Sequence, residues 1–255
     1  MSAEAKVALI TGAARGIGAA TARLFLERGY SVAATDILNP EAQPSTGASG
    51  VSYRFWQCDV SRESEVARLV ELVTEEFGTI DVLVNIAGVV LVKPLHETSW
   101  EEFERLVHVN LGGTFLLCKY TIPIMMRRQA GSIVNLGSVS GHVGQTDHAL
   151  YGSTKAAVIA LCRALAWELA PYHIRVNSIS PGSVDTPMLR GDIEIEAGRT
   201  GLPYGEVKAR REAEQAFGRW ADPSEIAEAI YFVAGNNASF VTGADLLVDG
   251  GWVAR

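Results

Sequence analysis

Apolar and polar positions along the chain fall into two rhythms. Short runs rich in β-branched residues read as strands over Val7–Thr11, Ser31–Asp36, Ser52–Asp59, Asp81–Ala87, Ser132–Ser138, Ile174–Ser180 and Asp245–Asp249. Several are apolar at successive positions, as expected of parallel strands covered on both faces. Between them lie stretches with apolar residues three and four apart. Val66, Leu69, Val70 and Val73 form such a stripe within 61–77, and helices are also expected over 16–29, 99–128 and 151–169. Ser99 and Glu102 have capping-box spacing. Asp222-Pro223-Ser224-Glu225 repeats that signal, with proline in the first turn.

This alternation predicts βαβ units and right-handed crossovers. The expected fold is α/β: a Rossmann-like, doubly wound, mostly parallel sheet of seven strands with helices on both faces, one domain over 1–255. The segment 187–217 breaks the rhythm, being rich in Gly, Pro and charge without a clear period. A long irregular segment inside a domain is expected to be functional, here a lid over a site.

Composition narrows the function. Hydrophobic residues make up 48% of the 255 and charged ones 20%, which suits a globular protein with a large core. The net charge is −7 and no Lys/Arg-rich run interrupts it, so nucleic acid is not an expected partner. Cys58, Cys118 and Cys162 are odd in number and far apart, which argues against a disulfide framework and against a CxxC metal site. Buried reduced thiols in the cytoplasm are expected. The apolar patch before Gly12 is too short for a signal-peptide core. No stretch is expected to approach the roughly 18 apolar residues of a membrane span.

Candidate chemistry sits at the strand ends. Thr11-Gly12-Ala13-Ala14-Arg15-Gly16-Ile17-Gly18 follows the first strand and opens the first helix. Glycines there allow close backbone approach, and the N–H groups of a helix start favour a pyrophosphate. Tyr151 and Lys155 stand four apart and share a helix face. An ammonium beside a phenol favours the phenolate, so the expectation is a tyrosine acidified for proton exchange with an alcohol or carbonyl. Ser138 ends the preceding strand and offers a hydroxyl to a developing oxyanion.

The TGxxxGxG turn, and YxxxK following a strand that ends in serine, resemble the short-chain dehydrogenase/reductase family from Lys6 to Gly251. The resemblance implies that Gly12, Arg15, Gly16, Ile17 and Gly18 cradle a dinucleotide, and that Asp59 and Val60 contact adenine. Asn85-Ile86-Ala87-Gly88 departs from the family's usual Asn-Asn-Ala-Gly at Ile86, and leaves Asn85, Ala87 and Gly88 as cofactor residues. Asp36 ends the second strand, where a carboxylate accepts from ribose hydroxyls and repels a 2′-phosphate. That favours NAD over NADP. Arg15 pulls the other way, and the direct clash at Asp36 is taken to decide.

The family's catalytic set would be Asn110, Ser138, Tyr151 and Lys155. Asn110 would hold a water relaying protons from Lys155, which would also reach the ribose. Pro181, Gly182, Val184 and Thr186 would fix the nicotinamide carboxamide. The implied reaction is NAD-dependent interconversion of a secondary alcohol and a ketone. Ser138, Ser140, His142, Gln145 and His148 would line the substrate side, and their polarity suits a sugar, polyol or sugar acid. Two alternatives are a 3-oxoacyl-thioester reductase using NADPH and a non-catalytic NAD(H) sensor. Family members commonly form homotetramers through the helices at 99–128 and 151–169, with Leu116, Leu117, Ile122 and Leu161 expected to supply apolar surface.

Overall fold

The computed structural model of the chain describes residues 5–40 and 50–254. The start of the stretch assessed above as a leader lies outside the described residues.

Seven parallel strands form one sheet: β1 (Val7–Thr11), β2 (Ser31–Asp36), β3 (Tyr53–Gln57), β4 (Val82–Asn85), β5 (Gly131–Leu136), β6 (Ile174–Pro181) and β7 (Asp245–Val248). Their spatial order is β3-β2-β1-β4-β5-β6-β7, so the chain direction across the sheet reverses between β1 and β4. Ligands of open α/β sheets bind outside the carboxyl ends of the strands at such a point. β1 is buried at all five positions, and β2 at all but Asp36. This matches the unbroken apolar runs and the expected fold.

Two apolar layers flank the sheet. Helices α1 (Gly16–Glu27) and α8 (Pro223–Ala234) close one face around Phe25, Ile10, Val84 and Ile230. Helices α2 (Glu63–Phe77), α4 (Gly113–Arg128) and α5 (Ala149–Leu169) close the other around Leu9, Val73, Leu117, Ile133 and Cys162. Both capping boxes form, at Ser99 with Glu102 and at Asp222 with Glu225.

The structure corrects four expectations. The single helix over 99–128 is α3 (Trp100–Val107) joined to α4 through a π-helical turn at His108–Gly112. The segment expected to be irregular is in fact two helices, α6 (Pro187–Thr200) and α7 (Tyr204–Glu212), pinned by Ile193, Val207 and Trp220. Their amphipathic pattern is weak because few positions face this small core. Thr186 caps α6 ahead of Pro187, and Gly201 ends it with φ of 72°, so the local start and stop signals were present. Leu116 and Leu117 belong to the core, whereas Phe115 is exposed. Finally, Ala149–Tyr172 is long and apolar enough to span a bilayer by composition alone. It instead flanks the sheet, with Lys155, Val158, Cys162 and Leu169 turned inward.

Thr11 ties the sheet together beneath the cavity. Its hydroxyl accepts from the backbone N–H groups of Ile86 and Ala87, each at 3.0 Å. Thr11→Val would strand two donors, one fully buried, at a cost of about 2–4 kcal/mol. Chemical denaturation should show that loss, and Thr11→Ser should restore most of it.

Candidate active site

A cavity of about 570 Å³ opens over the carboxyl ends of the strands, within the size range of small-ligand sites. The turn after β1 forms one end. Gly18 packs so closely that a Cβ there would meet the Gly12 carbonyl oxygen at 2.0 Å. The α1 start has no side-chain cap and no acidic residue in its first turn, so its positive end faces the cavity uncompensated. Gly12, Arg15, Gly16, Ile17 and Gly18 all line this end. These features fit a dinucleotide pyrophosphate.

Asp36 lines the wall next to it. Its two carboxylate oxygens accept from Ala14 N–H and Leu38 N–H, each at 3.0 Å, which fixes the charge at the end of β2. Arg15 is exposed and has no ion pair among the described residues. Asp59 and Val60 line the same region, and Asp59 accepts from the N–H and hydroxyl of Ser61. Ala87, Gly88, Pro181, Gly182, Val184 and Thr186 line the middle.

Helix α5 carries the reactive pair because the serine loop sits directly on it. A Cβ at Gly152 would meet the Ser140 carbonyl oxygen at 2.5 Å, so only glycine admits this contact. The contact sets Ser138, Tyr151 and Lys155 on one wall, with Ser140, Gln145 and His148 beside them. The Ser138 hydroxyl accepts from Ser140 N–H at 3.1 Å and lies close enough to the phenol to favour its ionised form.

Lys155 Nζ donates to the Leu136 carbonyl at 2.8 Å and lies 5.9 Å from the Tyr151 ring centre. Burial pushes its ammonium down to about 8. The Tyr151 ring borders the cavity yet is densely surrounded by protein. Burial pushes its phenol up to about 12, against the Ser138 hydroxyl and with the charge of Asp192. The expected acidification by Lys155 is thus reversed. Desolvation outweighs an ammonium aimed at a carbonyl, and the phenol is kept protonated.

Three further site residues need correction. Asn85 does not line the cavity: its amide donates to Asn135 Oδ1 at 2.8 Å inside the core. His142 also points elsewhere, with Nε2 2.8 Å from Asp245 Oδ2 and 3.3 Å from Ser180 Oγ. Asn110 stands behind Gly88 rather than in the cavity. From the π-helical turn it accepts from Val89 N–H at 2.8 Å and donates to the Val89 carbonyl at 2.9 Å and to Thr154 Oγ1 at 3.1 Å. It serves as a ladder partner for the backbone beyond β4.

Sequence reasoning missed Asp192 and Arg211, which α6 and α7 bring to the cavity wall. Both lie in the segment taken to be irregular, so no helix face gave them a direction.

A family model described as "Enoyl-(Acyl carrier protein) reductase" matches residues 12–253. The chain belongs to the short-chain dehydrogenase/reductase family. It is 41% identical to a cis-4-hydroxycyclohexanecarboxylate dehydrogenase of Sinomonas cyclohexanicum, over 98% of this chain and 97% of that one. It is 39% identical to an L-fucose dehydrogenase of Oryctolagus cuniculus, over 96% of this chain and 84% of that one. The solved structure of an aldohexose dehydrogenase from Thermoplasma acidophilum, in ligand-free form, superposes with a TM-score of 0.90 at 34% identity, covering 99% of this chain and 95% of that one. The protein is an NAD(P)-dependent oxidoreductase that interconverts a secondary alcohol and a ketone.

The buried lysine gives the site a measurable signature. The folded ammonium titrates at about 8, whereas an unfolded lysine titrates near roughly 10.4. Between those values the unfolded chain holds more protons, so the penalty of burying Lys155 is relieved as pH rises through the window. Lys155→Met removes this term. The melting temperature of the wild type should therefore gain on that of the variant between about pH 8 and pH 10. A constant difference would contradict a buried, depressed ammonium.

Proposed function

We propose that the protein is a dehydrogenase that prefers NAD over NADP and acts on a small hydroxylated molecule such as a sugar, polyol or sugar acid. The observation that carries the reaction is the convergence of Ser138, Tyr151 and Lys155 on one wall of the cavity. A bound nicotinamide supplies the hydride acceptor or donor. Tyr151 moves the proton at the substrate oxygen, and the phenol that burial keeps protonated is the form that donates to a ketone. The Ser138 hydroxyl orients that oxygen. Lys155 holds the ribose hydroxyls, and its positive charge opposes protonation of the phenol once it turns from the Leu136 carbonyl. Asn110 holds the backbone beyond β4 in place behind Gly88, where a water relay from Lys155 would pass.

Asp36 supports the NAD preference. Its carboxylate is fixed by two N–H groups and would face a 2′-phosphate as a like charge. The same argument weighs against the NADPH-linked 3-oxoacyl-thioester reading. Retention of both Tyr151 and Lys155 weighs against a non-catalytic sensor. A homotetramer is supported by Phe115 and Trp167 exposed on α4 and α5, and by Leu246 and Leu247 exposed on β7. Three buried free thiols, Cys58, Cys118 and Cys162, suit the cytoplasm.

Tyr151→Phe should lower kcat by about a thousandfold, in line with the loss of a positioned general acid–base, while NADH binding persists. Full turnover by that variant would refute the role. Asp36→Asn should raise NADP-linked kcat/KM by about tenfold or more relative to NAD, since one charge–charge repulsion at contact is worth several kcal/mol near a surface. An unchanged ratio in parallel assays would remove Asp36 as the discriminator.

A further inference from the structure

Helix α6 places Asp192 on the cavity wall next to the catalytic tyrosine, close enough that its negative charge reaches the phenol. The carboxylate is half-buried and forms no hydrogen bond or ion pair among the described residues. Burial pushes it up to about 6, with Arg211 opposing and Glu196 adding. Arg211, from α7, is already committed. It donates to one oxygen of Glu196 at 3.0 and 2.6 Å, and lies 3.9 Å from Glu214. Arg199 is likewise tied to Asp147 at 2.9 Å. Both arginines are thus paired elsewhere, and Asp192 is left without a cation of its own among the described residues.

The facing element is also rich in acceptors. His148 Nδ1 lies 2.7 Å from the Thr146 carbonyl, which assigns its proton to Nδ1 and leaves Nε2 as an acceptor. Burial pushes the imidazole down, so it is neutral at pH 7. A half-buried carboxylate without a partner is costly unless a ligand donates to it. Hydroxyl groups are such donors, whereas a second carboxylate would be repelled.

We propose that Asp192 is a specificity-determining residue that accepts hydrogen bonds from substrate hydroxyls other than the reacting one, and so selects neutral polyhydroxylated rings over hydroxylated ring carboxylates. This rests on the dehydrogenase reading and narrows its substrate class.

The test compares wild type, Asp192→Asn and Asp192→Ser on a cyclic polyol or aldohexose series, on cyclohexanol and on 4-hydroxycyclohexanecarboxylate, with NAD. Both variants should lose about tenfold or more in kcat/KM on the polyols, chiefly through KM, as befits a hydrogen bond to a charged group. The ratio of polyol to cyclohexanol kcat/KM should fall by about tenfold, which cancels any effect of the lost charge on Tyr151, and the carboxylate should gain. NADH binding and a melting curve show that each variant is folded. A wild type preferring the carboxylate to every polyol, or folded variants whose polyol-to-cyclohexanol ratio is unchanged, would overturn the assignment of Asp192. A wild type inactive on all three classes would instead overturn the dehydrogenase reading, and this inference with it.

Discussion

The site depends on an ammonium held almost entirely inside the protein, at the wall of the cavity. Lys155 is inside the protein because α5 lies flat against the sheet, and its charge is met by one carbonyl, that of Leu136. A strand-end carbonyl has a spare lone pair because the ladder stops there, so the end of β5 supplies the acceptor at no loss to the sheet. The arrangement is unstable in isolation and useful in function. A lysine satisfied by a single neutral acceptor is ready to exchange it for ribose hydroxyls. Protein stability is commonly traded against activity at such positions.

The same packing decides the protonation of Tyr151. Reading the sequence, the four-residue spacing to Lys155 pointed to an acidified phenol. Spacing gives proximity, but it gives neither the direction of the ammonium nor the amount of water removed from the phenol. Both run the other way here, and burial favours the neutral form of each group.

Much of the architecture was legible because buried parallel strands leave a strong trace. Runs such as Val7–Thr11 are apolar throughout, and the glycine turn between Thr11 and Gly18 has a spacing that few other structures need. Residues fixed by backbone geometry, Gly12, Gly18, Asp36, Val184 and Thr186, all border the cavity. Side chains whose direction depends on tertiary contacts were less legible. His142 follows Ser138 closely in sequence, yet turns away to the Asp245 carboxylate on β7. Asn85 sits at a strand end but faces the core. Asp192 and Arg211 went unseen because α6 and α7 bury only a small cluster, which leaves a faint period.

The π-helical turn at His108–Gly112 carries one extra residue per turn of that helix, and Asn110 reaches Val89 only from there. Upstream, the segment is anchored at Ser99; downstream, α4 is locked into the sheet flank by Leu117 and Met125. Removing or adding a single residue between these anchors would swing Asn110 by roughly 100° about the axis, the angle per residue of a 3.6-residue turn. An insertion or deletion here would thus be felt more than most substitutions at its exposed positions.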